Sequence, residues 1–246
     1  MPWLLILSIA IQVLLIVHCV KTGRNQIWIW VLAFLSFPGA IAYVAVEIIP
    51  DLFRSRTAQR TARGAKKALD PTADLRRYEN EARVAGNVAS RQRYAEALTR
   101  AGRFDDAIRE HRANLSGLYE HDPDIMLGLA RAQFGKGDAA GARGTLDDLI
   151  RLNPDFRSPE GHLLYARALE AEGNKAKALE EYRVVAPSYP GAEATARFAQ
   201  LLATDDQTDE ARKIARELLE QARIAPAHYR RAQKEWLDIA QKLAQR

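Results

Sequence analysis

The chain has a single cysteine, Cys19, in 246 residues. One thiol cannot form an intramolecular disulfide, and a thiolate metal centre needs more ligands. The histidines, His18, His111, His121, His162 and His228, never form a His-x3-His pair with an acidic partner. No Gly-x4-Gly-Lys-Ser/Thr loop, Gly-x-Ser-x-Gly elbow or plausible Cys-His couple occurs, so phosphate-cradling and nucleophilic chemistry lack a carrier. The carboxylate pairs Asp105-Asp106, Asp147-Asp148 and Asp205-Asp206 read as first-turn or turn residues whose charge complements a helix N-terminus. The expectation is a protein that is not an enzyme, with no cofactor and no metal.

Charge is scarce in residues 1–50, which hold only Lys21, Arg24 and Glu47. The whole chain carries +5, and residues 51–70 place Arg54, Arg56, Arg60, Arg63, Lys66 and Lys67 against Asp51 and Asp70. Residues 71–246 are therefore neutral overall. A neutral region offers no net basic face to a nucleic-acid backbone.

What fills the first 50 residues is apolar. Two stretches, 3–20 and 27–49, are each long enough as a helix to cross roughly 30 Å of hydrocarbon. Trp28 and Trp30 open the second at the depth where indoles settle. Only Lys21-Thr22-Gly23-Arg24-Asn25-Gln26 separates the stretches, which predicts an antiparallel transmembrane hairpin. A cleaved signal peptide fits poorly, because no basic residue precedes the apolar core and no small-x-small site follows it. The basic flank after the second stretch outweighs the connecting turn, so the positive-inside bias puts both termini in the cytoplasm, at a bacterial inner membrane. Pro38-Gly39 reads as a kink that fits the helices together, or more sharply as a notch for a lipid or partner. Glu47 and His18 read as interfacial.

The run Trp28-Ile29-Trp30-Val31-Leu32-Ala33-Phe34-Leu35-Ser36-Phe37-Pro38-Gly39-Ala40-Ile41-Ala42-Tyr43 resembles the two-helix module ahead of bacterial cardiolipin synthases of the phospholipase D type. The resemblance implies an anchor and brings no activity, since that family's His-x-Lys-x4-Asp motifs are absent. Residues 51–70 form a basic linker, read as a topology signal, a contact for anionic lipid, or both. Arg54, Arg56, Arg60, Arg63, Lys66 and Lys67 would be the lipid-contacting residues.

From residue 71 the chain changes character. Asp70-Pro71 predicts a helix start, and Leu75, Tyr78 and Ala82 continue it to about Gly86-Asn87. A glycine, four residues and an alanine then recur as Gly102…Ala107, Gly137…Ala142 and Gly173…Ala178, with a weaker copy from Asp206 to Ala211. The alanines are 35, 36 and 33 residues apart, the period of a stacked helix-hairpin repeat. Each glycine would end the first helix of a pair, and each alanine would let the second cross it closely. Asp122-Pro123 and Ser158-Pro159 repeat the cap-plus-proline start. Repeat one has a late Pro123, so its second helix or following loop is longer; repeat four has Pro226 displaced.

Small residue, glycine, alanine, large apolar residue and proline at these spacings resemble the tetratricopeptide pattern. The fold class is therefore all-α. An N-terminal transmembrane hairpin (1–50) and a basic linker (51–70) precede a tetratricopeptide-like α-solenoid (71–246), with repeats at about 88–225 and a C-terminal capping helix over 227–246. The capping face is Tyr229, Ala232, Trp236, Ile239, Ala240 and Leu243, although the same face could instead bind a partner.

The resemblance implies a groove, lined by the first helix of each pair, that binds protein or peptide partners. By position it should display Gln92, Glu96 and Arg100, then Leu127, Arg131 and Phe134, then Leu163, Arg167 and Glu170, and finally Gln200. Arg131 and Arg167 are equivalent positions that could grip a carboxylate or phosphate together, or could pair with neighbouring glutamates. The expected function is a membrane-anchored scaffold or adaptor. The alternatives are an accessory subunit of cardiolipin synthesis and an envelope or cytochrome assembly factor.

Overall fold

The structure, a computed structural model, describes residues 2–22, 27–34, 36–48 and 72–245. The basic linker, with its six expected lipid contacts, and the Asp70-Pro71 cap lie outside the described residues. The chain divides into two compact units, Met1–Pro71 and Thr72–Arg246.

In the first unit, helix α1 (Pro2–Lys21) packs against α2 (Ile27–Phe34) and α3 (Ser36–Tyr43), and α3 runs on into a π-helical turn, Val44–Ile48. Leu15, Cys19, Leu32 and Tyr43 form its core, with Trp28, Ile29 and Ala40 against them. The second apolar stretch is not the single long helix its length suggests. The Trp28 indole Nε1 donates to Glu47 Oε1 at 2.9 Å, and the Trp28 and Tyr43 rings meet edge-on with centroids 5.4 Å apart. In one continuous helix Trp28 and Glu47 would lie about 28 Å apart. The chain must therefore fold back, so that the start of α2 meets the end of α3.

Pro38 is not a mid-span kink. It sits in the first turn of α3, where the amide hydrogen it lacks would have had no helical acceptor anyway. Glu47 and His18 do more than face an interface. Glu47 accepts the indole N–H, and His18 Nδ1 lies 3.1 Å from the Tyr43 hydroxyl. Among the described residues no helix is long and apolar enough to cross a membrane. The expected two-span hairpin is thus unsupported, and the chain reversal is the physical reason for the second stretch: its helices have eight residues each, about 12 Å.

The second unit is built from helix pairs. α4 (Ala73–Ala85) leads into α5 (Val88–Arg100) and α6 (Phe104–Asn114). A 3-10 turn, Gly117–Tyr119, lengthens the loop of repeat one. Then come α7 (Pro123–Lys136) with α8 (Ala139–Leu152), α9 (Pro159–Ala171) with α10 (Lys175–Val185), and α11 (Glu193–Thr204) with α12 (Thr208–Ile224). α4 starts after Thr72, which makes no side-chain cap. The other two expected starts are capped: Asp122 accepts from the amides of Asp124 and Ile125, and Ser158 accepts from that of Gly161.

The recurring glycines take the left-handed conformation the turn requires, with φ of 73° at Gly102, 93° at Gly137 and 80° at Gly173. Asp206, at the equivalent place in repeat four, is the only non-glycine described with positive φ, 58°. Five residues after each turn, Ala107, Ala142, Ala178 and Ala211 are buried where paired helices cross.

The tail is two helices rather than one, α13 (Ala227–Ala232) and α14 (Lys234–Ala244). Gln233, at the break, accepts the Ala192 amide through Oε1 at 3.0 Å and so ties the tail to the start of α11. Ala240 and Leu243 of α14 are buried against α11 and α12, with Trp236 and Ile239 half-buried beside them. Ala232, expected on this face, is exposed.

Candidate functional site

The first helices of the pairs, α5, α7 and α9, stack side by side to form the inner layer. Gln92 and Glu96 on α5 and Leu127 and Arg131 on α7 line one cavity of about 560 Å³. The structure thus brings together four of the expected groove residues. Asp124, Phe156, Arg157, Pro190 and the α9 start, Ser158-Pro159-Glu160, complete its wall. Helix-face positions alone do not find these residues, because they lie at helix starts and in the loops before them. A signal for them is present in the sequence: the Ser158-Pro159 cap marks where α9 meets the groove.

Not every expected residue is available. Leu127 and Leu163 are each 4% exposed and belong to the cores under the groove, so they support it rather than face a partner. Arg100 and Gln200 are exposed but do not line this cavity.

The two equivalent arginines each meet a glutamate from the next repeat. Arg131 Nη2 lies 3.2 Å from Glu160, and Arg167 Nη1 lies 3.5 Å from Glu193. Both glutamates sit in the first turn of a helix, where the partial positive charge also favours them. The Arg167 guanidinium lies 4.8 Å over the Phe134 ring. Between the two expected roles, the geometry favours pairing with neighbours over a vacant anion grip. Such half-exposed pairs contribute at most about 1 kcal/mol each, so they fix side-chain direction more than stability. Glu170 is occupied as well: it accepts the buried Tyr182 hydroxyl at 2.6 Å, and burial, then that bond, pushes the phenol's pKa up.

Lining the cavity are three carboxylates, Glu96, Asp124 and Glu160, against two guanidiniums, Arg131 and Arg157. With Arg131 already on Glu160, the wall is mildly acidic.

Beneath the groove, His111 of α6 is 1% exposed, and neither ring nitrogen finds a hydrogen-bond partner among the described residues. Burial first, and Arg131 second, lower its pKa to about 4. Gly128 of α7 makes room for it: a Cβ there would come within 2.4 Å of the ring. On the outer side Asp147 is not a first-turn residue, as its sequence neighbourhood suggests. It lies well inside α8, 2.7 Å from Arg143, and accepts the Tyr165 hydroxyl at 2.8 Å. Burial, then that bond, raises the Tyr165 pKa to about 12. No group of three or more His, Cys, Asp or Glu side chains among the described residues is placed to hold a metal ion.

The comparisons with known proteins agree with the helix-pair fold. The family model of the tetratricopeptide repeat matches residues 95–156 and 127–193. It does not extend to residues 1–50, and the resemblance of that segment to the cardiolipin synthase module is not supported. No curated protein matches the chain. A thermophilic tetratricopeptide protein of Thermus thermophilus superposes with a TM-score of 0.53 at 20% identity, over 76% of this chain and 93% of that one. MamA gives 0.53 at 21% identity, over 65% and 94%. PilF of Pseudomonas aeruginosa gives 0.51 at 18% identity, over 93% and 99%. At these identities the likeness shows the fold. Residues 95–193 therefore match the tetratricopeptide repeat, and Thr72–Arg246 has an all-α, tetratricopeptide-like solenoid fold.

Proposed function

We propose that the chain is a non-enzymatic scaffold whose groove holds an extended segment of a protein partner. The observation that carries this is the 560 Å³ cavity, where Gln92, Glu96 and Arg131 from two successive repeats converge with the start of a third. Exposed amide, carboxylate and guanidinium groups can bond a peptide backbone, and the mildly acidic wall suits a segment with a Lys or Arg side chain. The charge-reversed variant Glu96→Lys/Glu160→Lys tests it. Proteins captured by the full chain should be lost with the variant while its helical content is unchanged. An identical set of captured proteins would count against the groove.

We infer also that the first unit attaches the chain to a membrane, with the repeats on the cytoplasmic side. Trp3, Val13, Leu14, Val17, Val20, Ile27, Trp30, Phe34 and Ile41 are large apolar side chains exposed on this small unit. So much apolar surface is covered in a functioning protein by lipid or by another chain. The six basic residues of the linker suit anionic headgroups, at roughly 1 kcal/mol each.

A further inference from the structure

The reversal between α2 and α3 has a consequence for how the first unit meets the bilayer. The two ends of this helical hairpin lie together, since Trp28 near the start of α2 bonds Glu47 just after α3. Around that end cluster His18, Tyr43, Trp28 and Glu47, joined by the indole–carboxylate bond and the imidazole–hydroxyl contact. Indoles and phenols with one polar atom are the side chains that settle at the membrane interface. The opposite end is apolar: Phe34, the last residue of α2, is 77% exposed, and its ring stacks on Trp30. Neither α2 nor α3 carries an Asp, Glu, Lys or Arg. Each arm is about 12 Å long, against roughly 15 Å for half of the hydrocarbon core.

We propose that α2 and α3 form a re-entrant hairpin that dips into one leaflet and returns to the surface it entered from, with acyl chains covering Trp30, Phe34 and Ile41. Such an insertion needs no spanning helix, and among the described residues there is none. Backbone groups within each arm are satisfied by its own helical bonds, and both arms pack on α1. Charge points the same way. A two-span hairpin would put Lys21 and Arg24 on the face opposite the six basic residues of 51–70, leaving two cations on the side the positive-inside bias disfavours. A re-entrant one puts all of them on one face, toward anionic headgroups.

The proposal rests on the membrane reading of the first unit, and one experiment separates the two. The full chain is expressed in bacteria with single reporters, Thr22→Cys, Val46→Cys or Phe34→Cys, over the baseline of the buried native Cys19. A membrane-impermeant maleimide is applied to spheroplasts and to inverted vesicles. Thr22→Cys and Val46→Cys should both be labelled in inverted vesicles and neither in spheroplasts. Phe34→Cys should be labelled only after detergent. Labelling of Thr22→Cys and Val46→Cys from opposite faces would overturn the re-entrant hairpin and restore two spans. Labelling of Phe34→Cys without detergent would show that the tip is outside the hydrocarbon, and would overturn it as well. If the chain leaves the membrane pellet in alkaline carbonate, the membrane reading itself fails, and the hairpin's role with it.

Discussion

Asp206 holds, at φ 58°, a backbone conformation that Gly102, Gly137 and Gly173 hold at the equivalent turns of the other repeats. A side chain there strains against the following carbonyl, although aspartate tolerates the conformation better than most residues. Asp206→Gly should raise stability by roughly 0.5–1 kcal/mol in urea denaturation, the gain being limited by glycine's larger unfolded entropy. The denaturation midpoint should shift with an unchanged slope, and a lower midpoint would show that the aspartate is itself stabilising. His111 makes a second prediction at this scale. Its folded pKa of about 4 lies below the ordinary histidine value, so the folded state resists protonation. Above about pH 6.5 the neutral ring costs nothing further. As the pH falls from 6.5 toward 4 the unfolded chain takes up a proton that the folded chain does not, and stability drops by on the order of 3 kcal/mol. His111→Leu should flatten that part of the pH–stability curve, and an unchanged curve would locate the dependence elsewhere.

At the scale of elements, the repeats are legible in the sequence because several local signals coincide. Gly137 and Ala142 mark a turn and a crossing, Asp122-Pro123 and Ser158-Pro159 mark helix starts, and the spacing between copies repeats. Each of these is a short-range constraint that a linear pattern can carry. The reversal in the first unit is not of this kind. It depends on Trp28 reaching Glu47 and His18 reaching Tyr43, contacts over 19 and 25 residues that an unbroken apolar run conceals. The same limit applies to the groove. Positions on one helix face find Gln92, Glu96 and Arg131, but Asp124, Arg157 and Pro190 enter from helix starts and loops, and no linear spacing names Glu160 and Glu193 as the arginines' partners. The tail reads as a cap, yet its break at Gln233 follows from a bond to Ala192, far away in sequence. That cap should be necessary. Removing α14 would expose Ala240's and Leu243's packing surface on α11 and α12, the apolar end that an array must bury. Size-exclusion chromatography should show the truncated chain self-associating; a monomer of unchanged thermal midpoint would mean that α14 is dispensable.

For the whole molecule, the proposed division of work gives the neutral solenoid the partners and the apolar N-terminal unit the attachment. The solenoid's strength as a scaffold lies in repetition. Successive repeats are joined by Arg131–Glu160, Arg143–Glu172 and Arg167–Glu193, each linking one pair to the next. The Arg131–Glu160 and Arg167–Glu193 links order the inner face without filling the cavity, so backbone-bonding groups remain exposed along it. The central claim is that partners are held on this inner face. It is tested most directly by placing a photo-crosslinking amino acid at Gln92 on the inner helix α5, or at Lys177 on the outer helix α10, in the full chain in living cells. The account predicts a discrete crosslinked protein from Gln92 and none from Lys177. A crosslinked protein from Lys177 alone would contradict it.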